Sequence, residues 1–144
     1  MKNLRLLKNT IKENEGFRDS PYFDQLGHLT IGYGHLVKPS ERFNLNQKYD
    51  KIFLEKLFEK DFNNALNDYN KNYKKFKYSN RISNVLIEMI FQIGISKQKK
   101  FKKMNEYIKQ KKLYMAAYEM KNSLWHSQTP KRVNKLIDTL LQKK

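Results

Sequence analysis

The sequence predicts an α+β protein in which a small N-terminal lobe with an antiparallel β-hairpin sheet is joined by a long helix to an all-helical C-terminal lobe. Three observations support this prediction: a glycine-punctuated, β-prone stretch at residues 16–36, one amphipathic pattern at about 50–72, and apolar residues at helical spacing thereafter. We expect a single domain, with the N-terminal lobe at about 13–50 and the C-terminal lobe at about 73–144. The helix of residues 1–12 is expected to pack on the C-terminal lobe.

The composition indicates a folded protein with a strong positive charge. Hydrophobic residues make up 39% of the 144 residues and aromatic residues 13%, and a chain of this size buries roughly two thirds of its unfolded surface. The 30 lysines and arginines exceed the 14 acidic residues and give a formal net charge of +16. This charge favours encounters with polyanions such as nucleic acid, anionic lipid or bacterial envelopes. The absence of cysteine excludes disulfides and thiolate metal sites.

The elements of the N-terminal lobe follow in chain order. Leu4, Leu7 and Ile11 recur at helical spacing and predict a first helix that ends near Asn14. Residues 16–36 are rich in Tyr, Phe, Thr and Ile between glycines. This pattern predicts a small antiparallel sheet of two or three strands with tight turns.

The long helix and the centre of the C-terminal lobe come next. Asp50 is of the residue type that caps a helix N-terminus, and a polar, basic connection is expected at residues 71–80. Apolar residues then recur with a helical period from Ile82 to Ile93, and Gly94 follows as a stop signal. Because apolar bulk also occupies a second face, we expect this helix to be central and buried.

Two further helices complete the prediction. Apolar residues from Leu113 to Met120 mark one, and the last has Thr129 at the N-cap and Pro130 at its first position. No apolar run approaches about 18 residues, so no membrane span is predicted. The basic N-terminus has no uninterrupted apolar stretch of the kind that forms a signal peptide.

Three side chains in the sheet region have the chemistry of glycosidic-bond hydrolysis. Glu15 closes the first helix, Asp24 lies at a strand or turn, and Thr30 begins a strand, so a folded hairpin can bring them to one side of a cleft. Such hydrolysis needs one carboxylic acid to protonate the leaving oxygen and a second carboxylate to activate water or stabilise the sugar cation. A plain turn role is the alternative for Asp24, and a strand-forming role for Thr30.

The spacing of these residues resembles that of the phage-type lysozymes. The family pattern is Glu, eight residues, Asp, five residues, Thr and then I-G-x-G-H, and it holds here without insertion from Glu15 to His35. The later segments E-K-L-F-E-K-D, M-I-F-Q-I-G and S-L-W-H-S-Q-T-P-K-R also resemble the family, so that most of residues 4–141 is covered. The resemblance implies a lysozyme-like fold.

The resemblance also implies an activity and roles for the three residues. It implies an endolysin that hydrolyses the β-1,4 bond between N-acetylmuramic acid and N-acetylglucosamine in bacterial peptidoglycan and so lyses the host cell. Glu15 would be the general acid, and Asp24 would activate water with help from Thr30. Inversion at the anomeric carbon requires the two carboxyl groups to stand roughly 6.5–9.5 Å apart. No cofactor and no metal are implied.

Supporting and substrate-binding residues follow from the same resemblance. Arg132 would reach Glu15, and His35 would form a structural ion pair with Asp61. A zinc site at His35 is disfavoured because the chain has only two other histidines and no cysteine. The residues implied to line the substrate cleft are Leu36, Phe91 and Gln92.

The eight lysines of residues 97–112 leave two interpretations open. A solvated helical face is the simpler one, and attachment to anionic envelope polymers or a membrane surface is the other. Two other function classes compete with the enzyme: a nucleic-acid-binding module, for which no specific motif is present, and a wall-binding or membrane-active protein on an inactive scaffold. By resemblance we expect a monomer in the host cytoplasm that reaches the wall through a holin-type pore.

Overall fold

The computed structural model describes residues 4–142, and the chain divides into two compact units with their sequence boundary between Asn64 and Ala65. This boundary lies inside one continuous long helix. The structure has the predicted α+β composition, a small three-stranded antiparallel sheet accompanied by many helices. No helix among the described residues combines the length and apolar character that crossing a membrane requires.

The first unit contains one helix, the sheet and the first half of the long helix. Its elements are α1 (Leu4–Glu15), β1 (Arg18–Phe23), β2 (Leu29–Gly32), β3 (His35–Leu36) and the start of α2 (Lys51–Tyr73). Helix α1 buries Leu7 and Ile11, as their helical spacing predicts. The sheet has the order β1-β2-β3 with both pairs antiparallel, which confirms the predicted small sheet.

Ion pairs join α1 to the first half of α2. Lys8 Nζ lies 2.7 Å from Glu59 Oε1, and Lys12 Nζ lies 2.6 Å from Glu55 Oε2. The hairpin joins the same cluster, because the Tyr33 hydroxyl donates to Glu55 Oε1 at 2.8 Å. Helix α1 therefore belongs to the first unit; its expected packing on the C-terminal lobe stays a prediction, and residues 1–3 lie outside the described residues.

The second unit is entirely helical. Besides the end of α2 it contains a short 3-10 turn (Lys74–Phe76), α3 (Asn80–Ile93), α4 (Ile95–Lys99), α5 (Lys102–Lys109), α6 (Leu113–Lys121), α7 (Leu124–Gln128) and α8 (Pro130–Leu140). Helix α3 is buried at eight of its positions between Ile82 and Ile90 and packs against α4 and α8. It ends at Gly94, so the predicted central helix and its stop are confirmed.

The connection expected at residues 71–80 is shorter than predicted. Helix α2 continues to Tyr73, and only residues 77–79 lie between the 3-10 turn and α3. Burial explains the extension: Tyr73 is 7% exposed, and its hydroxyl hydrogen-bonds to Gln98 and accepts from Asn105 Nδ2 at 3.2 Å. These polar partners come from later in the chain, so the residues around Tyr73 did not predict that the helix extends this far.

The lysine-rich stretch of residues 97–112 does not form one continuous helical face. Helices α4 and α5 divide it, and α6 begins only at Leu113. All eight lysines are exposed. Exposure of these side chains agrees with both interpretations of the stretch, so solvation and attachment to an anionic surface both stay predictions.

Thr129 and Pro130 begin α8 as predicted, but the threonine hydroxyl does not cap the helix. Its Oγ1 instead donates to the Trp125 carbonyl oxygen at 3.1 Å. Trp125 itself is 6% exposed and belongs to the core. Thr129 therefore occupies the predicted N-cap position, but its hydroxyl hydrogen-bonds to α7 instead of to α8.

Candidate active site

Glu15 is the last residue of α1, and the hairpin backbone lies against its carboxyl group. A Cβ atom placed on Gly34 would lie 2.7 Å from Glu15 Cδ, closer than real Cβ atoms approach other atoms, and Gly34 has φ of +76°. Glycine suits this backbone conformation, and any larger residue would require the Glu15 carboxyl group to move. The I-G-x-G-H segment therefore brings the chain close to this carboxyl group.

Asp24 follows β1 and is fixed by the turn that it starts. Its Oδ1 accepts from the backbone N–H groups of Leu26 and His28 at 2.9 and 2.8 Å, and its own N–H donates to the His28 carbonyl oxygen. The alternative role as a turn residue is thus real. It leaves Oδ2, 3.7 Å from His28 Nδ1, as the oxygen outside these backbone bonds.

Thr30 lies in β2 with only 3% exposure, and its hydroxyl has a defined orientation. Oγ1 donates to the His28 carbonyl oxygen at 2.9 Å. Because a hydroxyl has one proton and two lone pairs, this bond leaves Thr30 Oγ1 able to accept a hydrogen bond rather than donate one. His28 thereby anchors both Asp24 and Thr30 through its backbone.

Tyr22 lies next to Thr30 in the sheet, and it was not predicted from the sequence. The register of β1 and β2 places Tyr22 opposite Thr30, on the same face of the sheet. Burial raises the pKa of the Tyr22 phenol, the negative charges of Glu15 and Asp24 raise it further, and Arg18 opposes them. The phenol therefore lies within electrostatic range of both carboxylates. Strand alternation could have suggested that Tyr22 and Asp24 share a side.

His35 lies between two carboxylates. Its Nδ1 is 2.7 Å from Asp61 Oδ2, which confirms the predicted pairing, and its Nε2 is 2.9 Å from Glu41 Oε1. Burial lowers the pKa of His35, but the hydrogen bonds and charges of Asp61 and Glu41 outweigh this effect and the net pKa is raised. Sequence reasoning missed Glu41, which lies in an irregular segment and also accepts from the Lys38 N–H at 2.8 Å.

The predicted residues of the second unit have well-defined partners within that unit. Arg132 Nε lies 3.0 Å from Glu88 Oε2, and Glu88 is 3% exposed, a pairing that the sequence analysis did not foresee. The Gln92 amide is used at both ends, since Oε1 accepts from Trp125 Nε1 at 3.0 Å and Nε2 donates to Thr129 Oγ1 at 3.3 Å. The pairing of Arg132 with Glu15 stays a prediction.

The remaining residues implied to contact substrate are one exposed and one half-buried side chain. Leu36, in β3, is 50% exposed, and Phe91, near the end of α3, is half-buried. Their contribution to binding stays a prediction, as does that of Gln92. Within residues 4–142 no group of three or more histidine, cysteine or acidic side chains could hold a metal ion.

Glycoside hydrolases generally use a pair of carboxyl groups, and the first unit contains Glu15 at the end of α1 and Asp24 at the turn of the hairpin. The family model described as phage lysozyme matches residues 12–140. The chain belongs to the phage lysozyme family, and the protein is a glycoside hydrolase of the lysozyme class.

Two relatives from the slime mould Dictyostelium discoideum are similar along nearly their whole length. Probable T4-type lysozyme 2 is 38% identical, over 91% of this chain and 91% of the relative. Probable T4-type lysozyme 1 is 31% identical, over 93% of this chain and 92% of the relative. The similarity therefore includes both units.

Proposed function

We propose that this protein hydrolyses the β-1,4 bond between N-acetylmuramic acid and N-acetylglucosamine in bacterial peptidoglycan, with Glu15 as acid, Asp24 as base and inversion at the anomeric carbon. The observation that carries the proposal is the anchoring of Asp24 and Thr30 by one residue, His28, on the hairpin that packs against Glu15. Membership in the phage lysozyme family supports the substrate class.

The acid step falls to Glu15. It lies at the end of α1, and the backbone of Gly34 passes close to its carboxyl group. A proton delivered from there to the glycosidic oxygen stabilises the departing sugar, and general acid catalysis of this kind contributes about 10²–10⁴-fold to a rate.

The water step falls to Asp24 and Thr30. The two backbone N–H groups at Oδ1 stabilise the Asp24 carboxylate and fix its plane, so that Oδ2 is the oxygen that takes a proton from water. Thr30 Oγ1 donates its own hydrogen to the His28 carbonyl oxygen, so it accepts a hydrogen bond from the second hydrogen of the same water. The two acceptors orient the water lone pair toward the anomeric carbon.

Glu15→Gln tests the acid role, and Glu13→Gln is the matched control. Glu13 is an exposed carboxylate two residues earlier on the same helix, so its loss makes the same change in charge. We expect Glu15→Gln to abolish release of reducing ends from purified peptidoglycan with no change in melting temperature, and Glu13→Gln to stay within twofold of wild type. Full activity in Glu15→Gln would refute the assignment.

The products test the bond and the stereochemistry. New reducing ends on N-acetylmuramic acid, released as the α-anomer from the β-bond, are the expected result. Reducing ends on N-acetylglucosamine would indicate a glucosaminidase, and 1,6-anhydro products a lytic transglycosylase. A β-anomeric first product would overturn inversion.

We also propose that the protein lyses bacterial cells and, made in a bacterial cytoplasm, needs a holin-type pore to reach the wall. Expression in bacteria followed by addition of a pore-forming agent tests this: turbidity should fall only after the agent is added. Lysis without the agent would refute the need for a pore. The names of the Dictyostelium relatives say only that they are lysozymes. This experiment therefore tests bacterial lysis and release through a pore separately from hydrolysis of the glycosidic bond.

A further inference from the structure

The second unit contains a cavity of about 590 Å³ whose charged lining is entirely cationic. Apolar side chains, including Ile82 and Ile108, form part of its wall. No acidic side chain is among the described residues that line it. Its cationic residues are Lys77, Arg81, Lys109 and Lys111.

Arg81 presents a buried donor at this cavity. Its Nε is buried and has no hydrogen-bond partner among the described part of the chain. A buried guanidinium N–H without an acceptor is costly, and a small movement of this side chain would let an anion in the cavity supply one. Arg81 is also in the first turn of the 14-residue helix α3, where the helix dipole favours negative charge.

Aromatic residues hold Lys109 at the same cavity. Its Nζ lies 4.9 Å from the centre of the Phe76 ring, and Phe76 stacks on Tyr78 with their ring centres 5.5 Å apart. Glu106 Oε1 lies 3.9 Å from Lys109 Nζ, but the two side chains are 55% and 44% exposed. Solvent screens such a pair, so Glu106 leaves Lys109 able to bind an anion.

Lys77 and Lys111 both have left-handed backbone conformations, with φ of +52° and +61°. Glycine or asparagine adopts this conformation more readily than lysine. The backbone therefore gives no reason for lysine at these two positions, whereas a site for an anion does. Strained residues of this kind are often found at ligand sites.

We propose that this cavity is a second binding site, for a phosphate group carried on a polyol or sugar, as in anionic polymers of bacterial envelopes. Arginine and lysine are the side chains that bind phosphate best. A volume of about 590 Å³ is in the range of small-molecule sites and exceeds what a phosphate alone would fill. The site shares no residue with the proposed hydrolytic machinery and goes beyond it.

Titrations with sn-glycerol 3-phosphate, inorganic phosphate and glycerol test the proposal. In ¹H–¹⁵N spectra we expect glycerol phosphate to shift the Arg81 Nε–H signal and the backbone signals of residues 77–81 in a saturable manner. Inorganic phosphate should bind at least threefold more weakly, and glycerol should not bind. Absence of a saturable shift at Arg81 overturns the site, and equal affinity for inorganic phosphate overturns the polyol part.

Two double variants that each remove two positive charges distinguish a defined binding site from nonspecific attraction to the positive surface. Lys77→Asn combined with Lys111→Asn removes two cations at residues whose backbone asparagine tolerates, and Lys102→Gln combined with Lys103→Gln removes two exposed cations from α5 outside the lining. We expect about tenfold weaker glycerol phosphate binding in the first variant and less than a twofold change in the second. Equal weakening in both would overturn the proposal.

The catalytic variant keeps the two proposals distinguishable. Glu15→Gln should bind glycerol phosphate as wild type does, because Glu15 lies in the first unit. If peptidoglycan hydrolysis fails while this binding persists, the proposed function falls and the second site stands. The reverse result would remove the second site alone.

Discussion

The direction of a few hydrogen bonds determines whether the side chains of the hairpin residues can act as donors or as acceptors. The Thr30 hydroxyl donates a hydrogen bond to the His28 carbonyl oxygen, and Asp24 Oδ1 accepts hydrogen bonds from two backbone N–H groups. Both side chains are therefore acceptors with fixed orientation. This is the requirement for positioning a water that must lose one proton and keep the other.

Substitution of Thr30 tests this arrangement. Thr30→Val keeps the shape but removes the acceptor, so kcat should fall at least tenfold while unfolding free energy drops by about 1 kcal/mol for the lost hydrogen bond to His28. Thr30→Ser, which retains the oxygen, should keep most of the activity. Steady-state kinetics and thermal melts measure both, and equal activity in the two variants would contradict a role for Oγ1.

Gly34 offers a second test at the residue scale, with Gly27 as its control. Both have positive φ, +76° and +84°, but only at Gly34 would a Cβ meet the Glu15 carboxyl group, since nothing lies within 4 Å at Gly27. Gly34→Ala and Gly27→Ala should each lose about 1–2 kcal/mol of stability to backbone strain. Only Gly34→Ala should also lose activity, and a similar loss in both would show that the contact is unimportant.

At the scale of elements, His35 ties β3 to α2 and to the loop that contains Glu41. Asp61 belongs to α2, and Glu41 to the irregular segment between the sheet and that helix. One buried imidazole therefore holds three parts of the first unit together. Its bonds are strongest when the ring is charged and both carboxylates are ionised.

This arrangement predicts how stability depends on pH. The pKa of His35 is raised, so its contribution to folding stability is complete below about pH 6.5 and is lost as pH rises through the pKa of the folded state.

The net pKa of Glu41 is lowered: burial raises it, but the Lys38 N–H and His35 outweigh burial. Its contribution is present above about pH 4.5 and is lost as pH falls through the folded value. Stability should be greatest near pH 5–6.

Melting temperatures of three proteins measured from pH 4 to 8 test this expectation. Asp61→Asn should lower the melting temperature at pH 5.5, by an amount equivalent to about 1–3 kcal/mol for a hydrogen bond to a charged group, and should flatten its decline toward pH 8. Lys60→Gln, an exposed neighbour on α2, is the control. An unchanged pH profile in Asp61→Asn would contradict the role of the pair.

At the scale of the whole molecule, the net charge of +16 is the main feature. Most of the lysines are exposed, so long-range attraction to an anionic envelope should speed encounter without altering the chemistry. Screening limits this attraction to about 10 Å at 0.1 M salt.

The salt concentration should therefore affect the rate at which the enzyme meets the cell envelope more than the rate at which it hydrolyses the glycosidic bond. Between about 0.05 and 0.5 M sodium chloride, lysis of whole cells should slow several-fold, whereas hydrolysis of a short uncharged chitooligosaccharide should change little. The second cavity should contribute to the first effect, so the Lys77→Asn and Lys111→Asn pair should reduce cell lysis more than the matched α5 pair. Equal salt sensitivity of both substrates would refute a charge-driven encounter.

Much of the fold could be predicted because its information is local. The helical spacing in α1 and α3, the glycine-punctuated sheet and the stop at Gly94 all depend on neighbours within a few residues, and the structure contains each of them. The extension of α2 to Tyr73 could not be predicted. It depends on Gln98 and Asn105, which are distant in sequence.

The sequence by itself determined the fold class and the family motif, because residue spacing and periodicity are properties of the chain. The pairing of His35 with Asp61 was implied by resemblance to the family, and the structure contains it. Tertiary structure alone decided the partners of the polar groups: Glu41 at His35, Glu88 at Arg132, and the orientation of the Thr30 hydroxyl. It also gathered Lys77, Arg81, Lys109 and Lys111 around one cavity. A buried polar group takes whatever acceptor or donor folding brings within 3 Å, and sequence distance does not measure that proximity.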